Sequence, residues 1–269
     1  MQDEAIQVEA TAIKANGITF HCRIDGAGEK PWLIFSNSLA TDLTMWDEQA
    51  RALSGSFRVL RYDQRGHGKT EAPAGDYSFA TLIDDAIALM DALGINRAHV
   101  CGLSMGGATA LGLVQQHPDR IDRTVVCDTP GVSTPAAAAQ WRERMALARA
   151  KGMTALAEPT LQRWFAPEVY AGNPPCVDKV RRMVLATPVE GFIGCAAALC
   201  DHDFSSGAGT MRKPVLFICG EKDAPNTAMR DLHRRVAGSQ FVEMPGAGHI
   251  SNVEQPELFT RAVASFLVA

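Results

Sequence analysis

Residues 97–116 read RAHVCGLSMGGATALGLVQQ. The opening apolar run is typical of a buried strand, and the small and apolar residues after Gly106 are typical of a helix. A sharp turn from strand to helix crowds the backbone, so glycines are needed on both sides of Ser104, whose hydroxyl is left exposed at the helix N-terminus. The stretch predicts a nucleophilic serine on a strand–turn–helix, with a purely structural glycine-rich turn as the alternative.

Seven other apolar runs predict further strands on either side of this one. The first two, roughly Ile6–Lys14 and Ile18–Ile24, flank Asn16-Gly17, which is a strong hairpin signal, and we expect them to be antiparallel. The other five are PWLIFSN (31–37), FRVLRYD (57–63), RTVVCD (123–128), PVLFICG (214–220) and QFVEM (240–244). Helical patterns alternate with them, among them Ser78–Leu93 with one apolar face. The alternation predicts an α/β fold with a mostly parallel eight-stranded sheet flanked by helices.

The alternation stops between Asp128 and Pro214, where helical patterns take over. One helix is expected to begin at Thr134-Pro135 and end at Gly152, and another to begin at Pro174-Pro175. The run TPVE at 187–190 predicts a capping box for a third helix. We therefore assign residues 1–129 and 208–269 to the core and residues 130–207 to a helical lid inserted after the sixth strand.

The composition is that of an ordinary globular protein and excludes several functional classes. Of the 269 residues, 46% are hydrophobic and 21% are charged, and the net charge is −4. A protein with this net charge has no excess of positive charge that would attract nucleic acid or an anionic membrane, so neither partner is expected. Seven scattered cysteines include no C-x-x-C pair, and no metal or cofactor is predicted. The acidic start MQDEAIQVEA lacks an export pattern, which favours a cytoplasmic location.

A serine needs a base to take its proton and an acid to orient that base. Of the seven histidines, His249 in GAGHISN (246–252) follows the last strand and is the preferred base, while His67 in RGHG (65–68) also follows a strand. Asp223, directly after PVLFICGEK, is the preferred acid, and Asp128 after RTVVC is the alternative.

The oxyanion of an acyl-transfer reaction needs two preorganised N–H donors. By position these are the backbone amides of Met105, directly after the serine, and of Leu39 in the loop SNSLATD (36–42). No metal is required for this chemistry.

Several strings together resemble the α/β-hydrolase superfamily and, within it, the 3-oxoadipate enol-lactonases. They are SNSLATDLTMW (36–46), FRVLRYDQRGHG (57–68), CGLSMGGAT (101–109), RWF (163–165) and GHISNVEQPELF (248–259). The chain order Ser104, Asp223, His249 is that of the superfamily. Asn37-Ser38, where many hydrolases carry His-Gly, favours the enol-lactonase branch.

The chain departs from the pattern of this branch at two places. Ala40 stands where the branch has glycine, and we expect it to tighten the pocket beside the oxyanion hole. The loop EKDAPNT (221–227) lacks the Thr-Pro that the branch tends to carry after the aspartate, which bears on how Asp223 is placed.

The resemblance implies hydrolysis of 3-oxoadipate enol-lactone to 3-oxoadipate through an acyl-enzyme, in the degradation of aromatic compounds. The free carboxylate of that substrate calls for a cation. Trp141 and Arg144, at i and i+3 on one helix face, resemble pocket residues of the family, and Arg163 is the next candidate. The alternative is that Arg144 belongs, with Arg142 and Arg149, to a solvated face, with Trp141 packed into the lid.

Other functions use the same fold. A carboxylesterase or perhydrolase acting on small neutral esters would need the same triad and a different pocket. A C–C bond hydrolase and a binding protein with a vestigial triad are further alternatives. Epoxide hydrolases and dehalogenases need an aspartate in place of Ser104 and are excluded.

Overall fold

A computed structural model describes residues 8–268 of the chain. It contains one sheet of eight strands in the order β1-β2-β4-β3-β5-β6-β7-β8. The strands are β1 Val8–Ala15, β2 Ile18–Asp25, β3 Trp32–Ser36, β4 Arg58–Tyr62, β5 Ala98–Leu103, β6 Ile121–Cys127, β7 Val215–Gly220 and β8 Gln240–Met244. Ile6 and Gln7 of the predicted first strand, like the acidic start of the chain, lie outside the described residues.

The pairing of the strands confirms the predicted mostly parallel sheet. β1 and β2 form an antiparallel hairpin, and β2 is also antiparallel to β4, whereas all later pairs are parallel. The hairpin closes at Asn16 and Gly17, whose φ angles of 41° and 80° are those that a tight two-residue turn requires. The Asn-Gly signal in the sequence therefore marks the turn correctly.

Helices connect the strands and pack on the sheet. Helix α1 contacts α11, while α2 packs against α3, and α3 lies along β5 and β6. The helices outside the segment between β6 and β7 are α1 Asp47–Leu53, α2 Phe79–Ala92, α3 Met105–Gln116, α9 Asn226–Arg235, α10 Ser251–Glu254 and α11 Pro256–Val268. Two short 3₁₀ helices span Leu43–Trp46 and Ala208–Thr210.

The parallel strands bring the loops that carry the predicted site residues to one edge of the sheet. Ser36 at the end of β3 is paired with Gly102 near the end of β5. Cys127 at the end of β6 pairs with Leu103 of β5 and with Ile218 of β7. The loops after these four strands therefore emerge side by side, which is where open α/β sheets bind their ligands.

Five helices fill the chain between β6 and β7. They are α4 Pro135–Lys151, α5 Thr154–Trp164, α6 Pro167–Gly172, α7 Pro175–Ala186 and α8 Val189–Cys200. The predicted starts at Pro135 and Pro175 and the predicted end at Gly152, with φ of 70°, agree with these bounds. Where this segment leaves and rejoins the core, Val132 and Asp203 form an antiparallel bridge. Its function as a lid and the boundaries at 130 and 207 stay predictions.

The capping box predicted at residues 187–190 is wrong. Thr187 does not cap α8, because its hydroxyl donates to the carbonyl oxygen of Met183 in the preceding helix, at 2.9 Å. The residue directly before α8 is Pro188, and no side chain caps the helix there. The Thr-x-x-Glu spacing was therefore misread, since the threonine belongs to the end of α7.

Within residues 8–268 no single helix is long and apolar enough to cross a membrane. One pair, Pro175–Ala186 with Val189–Cys200, meets the criteria of length and composition jointly, but the two helices are bent by 98° against each other.

Candidate active site

Ser104 lies in the sharp turn between β5 and α3 that its glycine-rich surroundings predict. Its φ of 57° is in the left-handed region, which non-glycine residues adopt only where the surrounding structure holds them. A Cβ on Gly102 would collide with the carbonyl of Gly106, and a Cβ on Gly106 would collide with the carbonyl of Ser36. Only glycine fits on either side of the serine, because α3 begins so close to β3 and β5.

The structure brings Ser104, His249 and Asp223 into one hydrogen-bonded series. Nε2 of His249 lies 2.9 Å from Oγ of Ser104. Nδ1 of the same ring lies 3.0 Å from each carboxylate oxygen of Asp223. Asp223 is 8% exposed, so its carboxylate is shielded from water beneath the histidine. The arrangement lets His249 accept the serine proton while Asp223 orients the ring.

Asp128, the alternative acid, is placed differently. It is fully buried and accepts hydrogen bonds from the Gly220 amide at 2.9 Å and from the Ser251 hydroxyl at 2.6 Å. Burial, followed by repulsion from the neighbouring Asp223 carboxylate, raises the pKa of Asp128 well above its ordinary value. The carboxyl group therefore holds a proton that an exposed aspartate would lose.

The two backbone amides predicted to bind an oxyanion have no hydrogen-bond acceptor in the part of the chain that the structure describes. Among the hydrogen bonds of residues 8–268, none has the amide of Leu39 or of Met105 as its donor. Met105 begins α3, so its amide is one of the free N–H groups at a helix start. Ala40, which stands where glycine was expected, has φ of 58° and is 2% exposed.

The structure places Arg144 and Arg163 near each other. The guanidinium of Arg144 lies 4.6 Å from the ring centroid of the half-buried Trp141, one helical turn away. Burial lowers the pKa of Arg144, with Glu143 acting in the opposite sense. Within residues 8–268 neither Arg144 nor Arg163 forms an ion pair or a side-chain hydrogen bond.

Arg163, the last arginine of α5, is accessible to solvent although protein atoms crowd it. Its surroundings lower its pKa to about 10, chiefly through burial and then through the charge of Arg144, with Asp223 opposing them. Its guanidinium is close enough to feel the Asp223 carboxylate of the hydrogen-bonded series.

Glu254 is a further residue of the site, and no motif in the sequence identifies it. One of its carboxylate oxygens accepts from the Gly248 amide at 2.7 Å, and the other accepts from the Ala166 amide at 2.9 Å. It thus joins the loop that carries His249 to the segment after α5. The only sequence signal was its position inside the quoted run GHISNVEQPELF, because its two partners are backbone atoms, which a sequence does not mark.

Asp128, Cys219 and Asp223 bring one possible metal-ligand atom each to within 4.8 Å of one another, and all three are buried. The aspartates already accept hydrogen bonds from His249, Gly220 and Ser251. Burial, reinforced by both aspartates, raises the pKa of the Cys219 thiol far above its usual range, so it stays protonated. The group does not offer a free set of anionic ligands.

Comparison with known proteins gives matches along nearly the whole chain. Residues 31–256 match the sequence profile of a family described as the alpha/beta hydrolase fold. The chain is 36% identical over 258 residues to 3-oxoadipate enol-lactonase 2 of Acinetobacter baylyi, covering 95% of each chain.

Two solved structures resemble it closely. The enol-lactonase of Burkholderia xenovorans has a TM-score of 0.92 and 41% identity, covering 96% of this chain and 100% of that one. A thermophilic esterase of Thermogutta terrifontis, solved with malate bound, has a TM-score of 0.90 and 28% identity, covering 96% and 98% of the two chains.

Proposed function

The chain belongs to the α/β-hydrolase fold family, and on that basis we propose that it hydrolyses 3-oxoadipate enol-lactone to 3-oxoadipate, in the degradation of aromatic compounds. The observation that carries the proposal is the hydrogen-bonded series Ser104–His249–Asp223 at the loop edge of the sheet. The choice of lactone rests on the similarity to two enol-lactonases and on two arginines without an ion pair within residues 8–268: Arg163, which is close enough to feel the Asp223 charge, and Arg144, which affects Arg163.

The first half of the reaction opens the ring. Oγ of Ser104 attacks the lactone carbonyl while Nε2 of His249 takes the hydroxyl proton, and the amides of Leu39 and Met105 bind the resulting oxyanion. The bond between the carbonyl carbon and the ring oxygen then breaks. The proton held by His249 passes to that oxygen, which leaves as an enol and tautomerises to the ketone.

The second half releases the product. The acyl chain stays esterified to Ser104, with its ketone and its free carboxylate at the far end. His249 takes a proton from a water molecule, which attacks the ester carbonyl, and the same proton returns to Oγ of Ser104. One water is consumed, and 3-oxoadipate leaves with two carboxylates after the new carboxylic acid gives up its proton to solvent. Asp223 stays ionised throughout and stabilises the imidazolium that forms twice.

The substrate carboxylate needs a binding partner that the triad does not supply. Arg163 and Arg144 are suited to this role because neither guanidinium forms an ion pair within residues 8–268, and the charge of Arg144 helps to lower the pKa of Arg163. A carboxylate placed between them would relieve the repulsion. The resemblance to an esterase solved with malate, which carries two carboxylates, agrees with an anionic ligand.

A carboxylesterase or perhydrolase acting on small neutral esters is the second candidate. The esterase of Thermogutta terrifontis, at 28% identity, has the same fold, and a neutral ester would use the same three side chains. Such a substrate would leave both arginines without a function in binding. The two candidates therefore differ in whether Arg144 and Arg163 contribute to kcat/KM.

The test measures hydrolysis of 3-oxoadipate enol-lactone by ultraviolet absorbance beside hydrolysis of p-nitrophenyl acetate, with Ser104→Ala as the blank for both. We expect kcat/KM for the lactone to exceed that for the ester by at least ~100-fold, which is about 2.7 kcal/mol in transition-state binding. A higher kcat/KM for the ester would replace the lactonase by the esterase. Turnover of neither substrate by the wild-type protein, with unlabelled Ser104 after treatment with a fluorophosphonate, would contradict both.

A further inference from the structure

His67 lies in the turn Arg65-Gly66-His67-Gly68 after β4 and is fully buried. It makes no hydrogen bond to Ser104, His249 or Asp223. His249, and not His67, is therefore placed to act as the base for Ser104. Its two ring nitrogens are both engaged elsewhere. The amide of Ala40 donates to Nε2 at 2.9 Å, and Nδ1 lies 3.0 Å from the carbonyl oxygen of Arg65.

These two contacts fix the protonation of the ring. A backbone N–H can only donate, so Nε2 must be an acceptor without a proton. A carbonyl can only accept, so Nδ1 carries the proton. His67 is therefore the neutral Nδ1–H tautomer, and a protonated ring would direct a second N–H at the amide of Ala40.

The contact from Ala40 orients the backbone on one side of Leu39. The amide N–H of Ala40 belongs to the peptide that joins it to Leu39, and Ala40 holds a left-handed φ of 58° that an alanine does not adopt readily. On the other side, the carbonyl of Ser38 accepts from the Thr41 hydroxyl at 2.8 Å and from the Thr41 amide at 3.3 Å. Both peptide planes that flank Leu39 are thus held in place.

The turn that carries His67 is itself held by helix α8. A Cβ on Gly66 would collide with the backbone of Gly191, and a Cβ on Gly191 would collide with the backbone of Gly66. The thiol of Cys195 donates to the same Arg65 carbonyl that accepts from His67, at 3.4 Å. The imidazole therefore has little freedom to shift, and its hold on Ala40 is rigid.

We propose that His67 is a positioning residue: it fixes the Leu39–Ala40 peptide and, with the Thr41 contacts to the Ser38 carbonyl, holds the adjoining Ser38–Leu39 peptide, so that the Leu39 N–H is aimed at the reacting carbonyl. The inference rests on the proposed function, in which the Leu39 amide is one of two oxyanion donors. His67 does not touch the substrate. It acts on the rate only through the direction of an N–H that has no other partner.

The charged and titratable groups around the ring agree with the neutral form. Burial is the largest influence and lowers the pKa of His67, while the Arg65 carbonyl and the carboxylates of Asp63 and Asp42 act in the opposite sense. From α8 the ring faces the Cys195 thiol, 4.0 Å from Nδ1. Because burial prevails, His67 stays neutral at neutral pH and keeps its acceptor.

Substitution of His67 by Gln or by Asn distinguishes the contributions of its two hydrogen bonds. In His67→Gln, the Oε1 atom can take the place of Nε2 and accept from Ala40. In His67→Asn, the shorter side chain can take the place of Nδ1 and donate to the Arg65 carbonyl, but nothing accepts from Ala40. Both lose the ring and its packing. Their comparison therefore sets the loss of the hydrogen bond to Ala40 against the loss of the one to the Arg65 carbonyl, at a similar cost of losing the ring.

We expect kcat to fall ~10- to 100-fold in His67→Asn, below the ~10²–10³ that loss of an oxyanion donor costs, with KM little changed. His67→Gln should keep kcat at least ~5-fold above His67→Asn, since one neutral hydrogen bond contributes about 1 kcal/mol. His117→Asn, in a histidine at the end of α3, serves as the control and should match the wild type. Equal kcat in the Asn and Gln variants, or a change confined to KM, would overturn the proposal.

The experiment uses both the lactone and p-nitrophenyl acetate, because both pass through an oxyanion on Ser104. If the wild type cleaves only the ester, the proposed substrate is wrong, and the two variants are compared on the ester. If it cleaves neither, the rate at which a fluorophosphonate labels Ser104 gives the same comparison. If the Gln and Asn variants have the same rate in any of these readouts, the proposed role of His67 is contradicted. That result does not bear on the choice of substrate.

A measurement on the unaltered protein covers the case in which both variants fail to fold. The ¹⁵N chemical shifts of the His67 ring should show a protonated Nδ1 and an unprotonated Nε2 from pH 8 down to pH 6. The opposite tautomer, or a ring that becomes doubly protonated in this range while activity is kept, would overturn the proposal.

Discussion

The backbone N–H of His249 donates a hydrogen bond of 2.6 Å to the carbonyl oxygen of Trp164. Trp164 is the last residue of α5, and its ring centroid lies 5.8 Å from that of His249. The loop that carries the proposed base is thus anchored on the helices between β6 and β7 as well as on the sheet. A displacement of α5 would carry His249 away from Ser104.

Replacement of the proposed nucleophile tests the covalent route. Ser104→Ala removes the only atom that can form the acyl-enzyme, so kcat should fall below ~10⁻³ of wild type, since loss of a triad member typically costs ~10⁶. The measurement is steady-state hydrolysis of the lactone, with folding checked by circular dichroism. A variant that keeps more than this fraction would show that Ser104 does not attack the carbonyl.

The two buried aspartates are expected to respond differently. Asp223→Asn should lower kcat by ~10⁴, because an amide at Nδ1 no longer favours the required tautomer of His249. Asp128→Asn should cost less than ~10-fold, since a protonated carboxyl and an amide have similar shapes and the Ser251 hydroxyl can turn to accept. Parallel kcat measurements decide, and a reversed order would make Asp128 the acid.

The carboxylate-binding role of Arg163 and Arg144 predicts an effect on the acidic lactone alone. Arg163→Ala and Arg144→Ala should each raise its KM by ~10- to 100-fold, the range of one hydrogen bond to a charged group. KM for p-nitrophenyl acetate, which has no carboxylate, should stay unchanged. Arg149→Ala, in the exposed last turn of α4, is the matched control. An arginine whose loss affects both substrates equally would have no part in recognising the carboxylate.

Glu254 is expected to support the loop of His249 through its two backbone contacts. In Glu254→Gln one oxygen can still accept, but the NH₂ group faces the N–H of Gly248 or Ala166. Loss of that bond should lower kcat by ~10- to 100-fold, at about 1.5–3 kcal/mol for a hydrogen bond to a charged group. Glu257→Gln, in an exposed residue of α11, should leave kcat as it is. Similar rates for the two variants would remove Glu254 from the support of His249.

His202 should make the fold sensitive to acid. Both of its ring nitrogens are buried without a hydrogen-bond partner within residues 8–268, and its ring centroid lies 4.8 Å from that of Phe79 and 6.0 Å from that of Phe204. Burial lowers its pKa to about 4, whereas the unfolded chain binds this proton near the ordinary value of 6.5. The unfolded state therefore holds more protons below pH 6.5, and stability is lost as the pH falls.

The expected loss from His202 is about 2 kcal/mol in the free energy of unfolding between pH 7 and pH 5. His202→Phe removes this titration and the two unpaired nitrogens, so its advantage over wild type should grow as the pH falls. Urea unfolding at pH 7 and pH 5 measures the difference. His67, whose pKa is also lowered, remains in the variant, so part of the acid sensitivity should persist. An advantage that does not depend on pH would contradict the titration of His202.

The sheet could be predicted because its strands are apolar, short and bounded by turn residues. All eight predicted runs overlap an observed strand, and Asn16-Gly17 closes the hairpin as expected. The resemblance to enol-lactonases is also confirmed, by a relative of 36% identity along 95% of the chain. A local pattern that fits two different structures gave a wrong prediction, as the Thr-x-x-Glu spacing at residues 187–190 shows. Thr187 fits the start of α8 by spacing, but its hydroxyl bonds the helix behind it.

The supports of the site could not be predicted from sequence. From the sequence, His67 suggests only a possible base, because the group that it binds is the backbone amide of Ala40. Glu254 likewise accepts from a backbone amide, that of Ala166, 88 residues away. Backbone donors carry no residue identity, so no motif marks the side chains that bind them. Ser104, by contrast, was found because the glycines around it are required by the crowded turn itself.

The backbone contact between Gly66 and Gly191 limits how this enzyme can be diversified. Exchange of the segment between Val132 and Asp203 for that of another hydrolase would bring a foreign residue to position 191. Any side chain there would press on the turn of His67, which lies 124 residues before position 191 in the sequence. Libraries that shuffle such segments should therefore keep glycine at 191, or vary positions 66 and 191 as a pair.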